Sequence, residues 1–469
     1  MSSDELPSSE LYKEISDEDT DKSVSIDISF RIIRQFSLEL YDNPRRAIEE
    51  LVCNSYDANA SECYVKTPSD QSESLYVLDD GHSMSMDGLE WLWKVAASRK
   101  EQELDEDREK GGRQQIGKFG VGKLAAFALG SRLTYVATKE GTTRVVSVHQ
   151  ARLKNENSSG AEDFDVYEFP SDEAEERIGQ YFNEVPNPWD EDWDSWTLAI
   201  ISDIPEENTG TDLRPWHLKN MIQTAIPTST DFTTYLNHEQ ISERDVHGEQ
   251  IYSVDVTDAD VIEKIEDKIQ SYWSSKRDID REDVDPSMYE IEMTTFPNPQ
   301  NTSESLASID VPKLGHVAGS GQLYDRPITT DKRKERGFQD NGFRVRVRGK
   351  LINKDAPLFG LEPLSHSTWA QFLGEFEMPG LDQDIRVHRD DLKDTPKVDI
   401  AQIVLRRIFN NVRNKHRNIT EEDEDHSITP NPNTEPQTVT RSFSERLQER
   451  SRPYARDHPS LAKPHLSVV

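Results

Sequence analysis

The segment from residue 44 to residue 58 alternates apolar and polar positions at the spacing of an amphipathic α-helix. The side that can face a core carries Ile48, Leu51, Val52 and Ser55. The opposite side carries a polar stripe, defined by Glu50, Asn54 and Asp57, which are four and three positions apart. Taken alone, this stripe has two interpretations: it is the solvated face of a surface helix, or it presents its side chains to a ligand.

Short runs of β-branched and aromatic residues predict strands before and after this helix. The runs cover residues 62–66, 75–78, 133–137, 144–148 and 197–201. A further helix is predicted over residues 28–40, where apolar residues recur every fourth position. Because the predicted strands are mostly adjacent along the chain and alternate with helices, we expect an α+β sandwich with helices covering one face of a mixed sheet.

The C-terminal half repeats this mixture of elements. A strand-like run covers residues 289–293, and Phe343, Val345 and Val347 alternate with arginines as in a half-buried strand. An apolar stripe between Ala401 and Val412 predicts a final helix. We therefore expect a second α+β domain.

Composition divides the chain into five predicted segments. A disordered tail covers residues 1–24, the first domain residues 25–212, a charged helical connector or insertion residues 213–285, the second domain residues 286–419, and a disordered acidic, proline-rich tail residues 420–469.

The charge of the chain limits its partners. Fifty-five Lys and Arg against 89 Asp and Glu give a formal net charge of −34, which disfavours nucleic acid and anionic membranes as broad partners. The two cysteines, Cys53 and Cys63, form neither a disulfide framework nor a metal-ligand pattern. With no secretory signal or membrane-spanning run, we expect a cytoplasmic protein. The acidity has two explanations: a halophilic source, or an ordinary acidic protein with acidic tails.

Two further stretches carry candidate chemistry. The strand at 75–78 runs into Asp79, Asp80 and Gly81, which is either an ordinary turn or a carboxylate presented to a ligand. A glycine-rich loop, residues 117–123, then enters an apolar helix, an arrangement that either holds phosphate or only packs a helix. It is not a P-loop, because Leu124 stands where a Mg²⁺-binding hydroxyl is required, nor is it a dinucleotide fingerprint.

The stripe, the turn at Asp79 and the glycine loop occur in one order, and together they resemble the GHKL superfamily of ATPases. This superfamily is named for gyrase B, the heat-shock-ninety chaperones, histidine kinases and MutL. The resemblance covers about residues 28–204 and is greatest to the MutL, MORC and heat-shock-ninety branch, in a haloarchaeal-type protein. It implies a Bergerat-type α/β sandwich that binds ATP and Mg²⁺, followed by a ribosomal-S-five-like transducer domain.

The resemblance also implies roles for individual residues. Glu50 matches the general base that activates water, Asn54 the ligand of Mg²⁺, and Asp57 a supporting position. Asp79 matches the acceptor of the adenine amino group, Gly81 lets the base approach, Met84 packs on it, and Thr197 joins the surrounding water network. The lid hinge and phosphate cradle match the loop residues Gly117, Phe119, Gly120, Val121, Gly122 and Lys123, and residues 98–116 match the ATP lid.

In this branch a lysine of the second domain reaches the γ-phosphate. Our candidates are Lys332 and Lys334 in a basic loop, with Lys350 next; the alternative for each, and the commoner role of a loop lysine, is a solvated side chain. The resemblance further implies a homodimer on ATP binding and a protein partner or client of unknown identity. One departure is Ser83, which replaces the second glycine of the usual Asp-x-Gly-x-Gly turn and requires a compatible backbone angle.

Overall fold

The structure is a computed structural model. It describes residues 23–26, 44–68, 74–92, 116, 122–153, 162–209, 213–226, 231–242, 244, 246–299, 301–354, 356–362, 367–385 and 395–426. The predicted helix at 28–40, nearly all of the predicted ATP lid and most of both predicted tails lie outside these ranges. The contacts described below belong to one unit that ends at His416.

The helices of the described residues begin with α1, which carries the polar stripe. They are α1 (Arg45–Asp57), α2 (Met86–Leu92), α3 (Gly122–Leu129), α4 (Gln150–Leu153), α5 (Ser171–Ile178), α6 (Glu206–Thr209), α7 (Pro215–Ala225), α8 (Ala259–Arg277), α9 (Asp331–Glu335) and α10 (Pro396–His426).

The strands follow the same chain order. They are β1 (Ser23–Ile26), β2 (Glu62–Lys66), β3 (Leu75–Asp79), β4 (Arg132–Lys139), β5 (Thr142–His149), β6 (Glu162–Pro170), β7 (Trp196–Ser202), β8 (Thr233–Leu236), β9 (Glu239–Gln240), β10 (Gln250–Asp255), β11 (Glu292–Asn298), β12 (Asn301–Val311), β13 (Gly315–Tyr324), β14 (Gly342–Val347), β15 (Lys350–Leu351) and β16 (Phe372–Glu377).

The first sheet is mixed, as the sequence predicts. Within the described ranges its strand order is β1-β6-β5-β4-β7-β3-β2-β8-β9, with β2 and β8 parallel and the other neighbours antiparallel. The five strand-like runs between residues 62 and 201 all form strands of this sheet. Its central strands β3 and β7 pair Asp79 directly with Thr197. The register therefore brings together two residues that are more than a hundred positions apart in sequence.

Both faces of the first sheet are covered. One face packs against a core to which α1, α3 and α7 contribute buried residues. The other face is covered by the segment between β6 and β7, where Phe182 and Trp189 meet each other and Trp196 of β7 edge to face, with ring centroids 5.2–5.3 Å apart. The prediction of helices on one face is thus incomplete, because the tryptophan-rich acidic segment supplies a second apolar layer.

The second sheet has the order β11-β12-β13-β16-β14-β15, with β10 paired to β13, among the residues described. Phe343, Val345 and Val347 of β14 are buried, which confirms the alternation found in the sequence. Helix α10 lies close to β13, since a Cβ added at Gly321 would lie 2.4 Å from the Ile408 Cγ2 atom. A second α+β arrangement follows the first, and its relation to a ribosomal-S-five-like fold stays a prediction.

Residues 213–285, which we predicted as a charged connector, divide between the two sheets. Helix α7 and strands β8 and β9 belong with the first sheet, and β10 joins the second. The prediction missed these strands because they are short and lie in a highly charged part of the chain, so only their pairing identifies them. At the C-terminal end, α10 continues to His426, past the predicted boundary at residue 420.

Candidate functional site

Helix α1 presents the polar stripe as predicted. It begins at Arg45, directly after Pro44, whose backbone is already helical with φ −55° and ψ −24°. Its inner face buries Ala47, Ile48, Leu51, Val52, Cys53, Ser55 and Tyr56. The stripe residues Glu50, Asn54 and Asp57 are only partly buried. Their side chains therefore remain accessible beside a rigid, well-packed core.

Asp79 at the end of β3 is a buried carboxyl group on the inner side of this helix. It is 6% exposed. Its Oδ2 atom accepts a hydrogen bond of 2.9 Å from the Ser55 hydroxyl, and its Oδ1 atom accepts one of 3.0 Å from the Gly81 backbone N–H. Burial raises the pKa of Asp79 to about 7, although both hydrogen bonds act in the opposite direction. The carboxyl thus needs a further donor or charge before its ionised form is fully stabilised.

The turn after Asp79 lies against the end of α1. The His82 backbone N–H donates to the Ala58 carbonyl at 2.7 Å. A Cβ added at Gly81 would lie 2.8 Å from that carbonyl oxygen and 2.9 Å from the Ala58 Cβ. Only glycine permits this close approach, which explains the residue type at the predicted position.

Ser83 and Thr197 join the turn to β7. The Thr197 hydroxyl donates to the Ser83 hydroxyl at 3.0 Å, and the Ser83 backbone N–H donates to the Ser195 hydroxyl at 2.9 Å. Ser195 in turn donates to the Gly81 carbonyl at 3.0 Å. Ser83 is buried and its φ is not positive, so the backbone tolerates a side chain here without strain. Met84, the next residue, packs against the first core.

Asp57 has a definite structural partner. Its Oδ1 atom accepts a hydrogen bond of 2.7 Å from the Ile116 backbone N–H. Ile116 directly precedes the predicted glycine-rich loop, and its side chain is buried in the first core. Asp57 therefore fixes the entrance of that loop to the end of α1.

The loop itself is only partly described. Gly117, Phe119, Gly120 and Val121 lie outside the described residues. Gly122 and Lys123 are the first two residues of α3, which packs against α1. The N-terminus of α3 is thus at the end of the loop where the sequence predicts a phosphate cradle.

The structure brings Lys350 to the stripe, and it does not bring Lys332 or Lys334 there. Lys350 Nζ lies 3.8 Å from Glu50 Oε1 and 3.4 Å from Glu49 Oε1, and it donates to Cys53 Sγ at 3.3 Å. Lys332 and Lys334 lie on α9, where both are exposed. Lys334 pairs there with Asp331 at 3.3 Å. The third candidate is therefore the lysine in contact with Glu50.

Three contributors to the site were missed by sequence reasoning. They are Glu49, Ser55 as a hydrogen-bond donor, and Lys354, whose Nζ lies 2.6 Å from Glu49 Oε1. The adjacent pair Glu49 and Glu50 is visible in the sequence, but its partners come from another sheet about three hundred positions away. No spacing rule could have identified them.

The donors and acceptors fit an adenine nucleotide with a bound Mg²⁺. The site offers a buried carboxyl with capacity for another hydrogen bond at Asp79 and an amide oxygen at Asn54, a ligand type that hard cations accept. It also offers a partly buried carboxylate at Glu50 and a buried ammonium at Lys350. Among the described residues, no group of three or more His, Cys, Asp and Glu could form a metal site made of protein ligands alone.

Comparison with known proteins agrees with the geometry. Residues 41–178 match the family model of the histidine kinase-, DNA gyrase B- and HSP90-like ATPases. This match supports the GHKL superfamily and ATP binding for that part of the chain. The chain is also 24% identical, over 140 residues, to a putative type II restriction enzyme, HgiDII, of Herpetosiphon aurantiacus. That alignment covers 30% of this chain and only 22% of the relative.

No helix in the described part of the chain has the length and hydropathy required to cross a membrane.

Proposed function

We propose that this protein is a Mg²⁺-dependent ATPase of the MutL, MORC and heat-shock-ninety type that hydrolyses ATP slowly to drive a conformational switch. The observation that carries the proposal is the position of Asp79. It is a buried carboxyl bonded to Ser55 of α1 and paired in register with Thr197, beside a turn where Gly81 packs against Ala58 too closely for any side chain.

Adenine recognition is assigned to the floor of the site. Asp79 accepts the hydrogen bond of the adenine amino group, and the base approaches over Gly81. Met84 packs on the base. Thr197 completes the polar network. Its hydrogen bond to Ser83 fixes the orientation of the Thr197 hydroxyl.

Phosphate chemistry is assigned to the polar stripe. Glu50 accepts a proton from the attacking water, a role that a carboxylate can perform when it is held beside the phosphate. Asn54 holds Mg²⁺, and the ion when bound neutralises phosphate charge and orients the phosphate oxygens. The glycine-rich loop and Lys123 bind phosphate at the N-terminus of α3. Asp57 acts through Ile116 and positions this loop.

Lys350 is our candidate for the lysine that reaches the γ-phosphate. It comes from the second sheet. Its ammonium lies 3.8 Å from a carboxylate oxygen of Glu50, which is too close for a water molecule to lie between them. Contact between this lysine and the terminal phosphate would couple ATP binding to the position of the second domain. We propose that this coupling accompanies homodimerisation and acts on a protein partner.

The relative's name suggests one cellular context. The shared region covers about a fifth of a putative restriction enzyme. We propose that this chain acts as an ATP-driven component of a DNA-restriction system. We propose no nuclease activity for this chain, since its charge of −34 opposes direct DNA binding.

The first test replaces Glu50 by alanine. Purified wild-type protein with Mg²⁺ should release phosphate from ATP, and Glu50→Ala should lower this rate by about a hundredfold or more while it still binds ATP. Turnover is measured by phosphate release and binding by calorimetry. Asp87→Ala, at an exposed position of α2, is the matched control and should behave as wild type. Undiminished turnover in Glu50→Ala rejects the mechanism.

A second candidate is a nucleotide-sensing module that binds ATP with little or no hydrolysis. The observation that favours it is the contact of Lys350 with Glu50, because a neighbouring cation makes a carboxylate a weaker base. Tight ATP binding with no phosphate release, in a wild-type protein that dimerises on ATP, would identify this function.

A further inference from the structure

Four charged side chains meet where the second sheet touches α1. We call them the lysine–glutamate cluster: Glu49, Glu50, Lys350 and Lys354. Lys354 Nζ lies 2.6 Å from Glu49 Oε1, whereas Lys350 Nζ lies 3.4 Å from the same oxygen and 3.8 Å from Glu50 Oε1. Two lysine ammonium groups thus lie beside Glu49, and one of them also lies beside Glu50.

The cluster is largely excluded from solvent. The side chains are 6% exposed at Lys350, 12% at Glu49, 16% at Lys354 and 17% at Glu50. Burial alone would raise the pKa of Glu49, but the charges of Lys354 and Lys350 outweigh it and hold this pKa well below its usual range. Glu49 is therefore ionised at all physiological pH values, and the two lysines and two glutamates balance in charge.

The segment that carries both lysines is held by its own hydrogen bonds. The Asn353 side chain accepts from the Val345 backbone N–H at 2.9 Å and donates to the Phe343 carbonyl at 2.9 Å, which ties the Lys354 turn to β14. The Gly349 backbone N–H donates to Glu377 at 3.1 Å. The lysines therefore extend from a stiff hairpin, and a contact at one of them fixes the position of the other.

The two lysines are held differently. Lys354 makes a short contact with Glu49, at ordinary hydrogen-bond distance. Lys350 makes longer contacts, including its bond of 3.3 Å to the Cys53 thiol, a weak acceptor. An incoming phosphate competes with weak partners for Lys350 and with a strong partner for Lys354.

We propose that Glu49 and Lys354 are positioning residues, whose ion pair fixes the hairpin against α1 so that Lys350 can move from Glu50 to the γ-phosphate. This inference rests on the proposed ATPase function. When Lys350 turns to the phosphate, Glu49 keeps the Lys354 ion pair that holds the hairpin. Withdrawal of the Lys350 charge from Glu50 makes that carboxylate a stronger base, so Glu50 is more active when the terminal phosphate is present.

The test is a double-mutant cycle with Glu49→Gln and Lys354→Met. Each single variant should lower kcat by about tenfold to a hundredfold, because displacement of the lysine by about 1 Å is enough for such a loss. The double variant should be no slower than the slower single variant, since both changes remove one ion pair. The affinity for ADP, which lacks the γ-phosphate, should change less than about twofold.

Conservative and remote variants separate positioning from general damage. Lys354→Arg keeps the charge and should retain most of the turnover that Lys354→Met loses. Lys334→Met, on exposed α9, should leave kcat unchanged. Circular dichroism and ADP binding verify that each variant is folded.

Two failures are distinguishable. Wild-type turnover in Glu49→Gln and Lys354→Met, together with an inactive Lys350→Met, overturns the positioning role and leaves the ATPase intact. A loss of ADP binding in the folded Glu49→Gln variant also overturns it, because the pair would then act on the nucleotide site as a whole. Absence of phosphate release by the wild-type protein overturns the proposed function instead.

Discussion

Asp79 combines burial, two hydrogen bonds and an acceptor role in one carboxyl group. Burial penalises the ionised form more than Ser55 and Gly81 support it, so its pKa rises from 3.8 to about 7. An amino group of a ligand donates best to the ionised carboxylate. Ligand binding and loss of the Asp79 proton are therefore coupled.

This coupling predicts the pH dependence of ATP affinity. Below pH 7 the free protein holds the proton, and binding must release it, so affinity falls as the pH is lowered. From pH 8 to pH 6 we expect a loss of about tenfold, with proton release detected by calorimetry in buffers of different ionisation enthalpy. Ser55→Ala removes a bond that lowers this pKa and should move the transition to higher pH. An affinity profile identical in wild type and Ser55→Ala would contradict the assignment.

The sequence predicts some of these residues well and others not at all. Helical spacing places Glu50, Asn54 and Asp57 on one stripe, because the period of the helix determines which side chains are neighbours. The lysine is different. Its contact with Glu50 depends on how β14 and β15 pack against α1, so position in the sequence favoured Lys332 and Lys334 while the fold brings Lys350.

At the scale of elements, α1 organises the site through its middle and its C-terminal end. Its middle carries Glu50, and its C-terminal turn carries both Asp57 and the Ala58 carbonyl that receives the Asp79 turn. Each contact connects the helix to a different predicted part of the nucleotide site. A change at this end of α1 should therefore affect loops that are distant in sequence.

The bond from Ile116 to Asp57 gives a test at this scale. Asp57→Ala leaves the Ile116 backbone N–H without its charged acceptor, at a cost of roughly 1.5 kcal/mol or more to the loop entrance. We expect ATP affinity to fall by about tenfold and the unfolding temperature to change little. Titration calorimetry measures the affinity, with Asp57→Asn, which keeps an acceptor, as the matched control. Equal affinity in all three proteins would show that the bond does not position the loop.

Prediction at the element scale succeeds where pattern alone determines structure. Strands β2, β3, β4, β5 and β7 were predicted because short runs of Val, Ile, Leu and aromatic residues mark them, whereas β6 was missed. The sequence gives no clear pattern between β6 and β7, since the apolar residues there are widely spaced among acidic ones. They act together only after Phe182, Trp189 and Trp196 meet on the second face of the sheet.

At the scale of the whole molecule, the buried charges of the lysine–glutamate cluster connect the second sheet to α1 within a strongly acidic chain. The lysine–glutamate cluster is shielded from salt by burial, whereas most of the excess of 34 negative charges must lie at the surface. Salt therefore should weaken surface repulsion and leave the cluster largely intact. The two interpretations of the acidity, a halophilic source or an ordinary acidic protein, differ in how strongly stability depends on this screening.

The dependence is measured by thermal unfolding in KCl. At pH 7.5 we expect the midpoint to rise by several degrees, on the order of 5 °C, between 0.1 M and 2 M salt, because the screening length falls from about 10 Å to below 3 Å. Near the isoelectric point, about 4.7, repulsion is small and the same salt should have little effect. The low-pH series is thus the internal control. An equal rise at both pH values would assign the effect to general salting-out, and a flat midpoint at pH 7.5 would reject a halophilic adaptation.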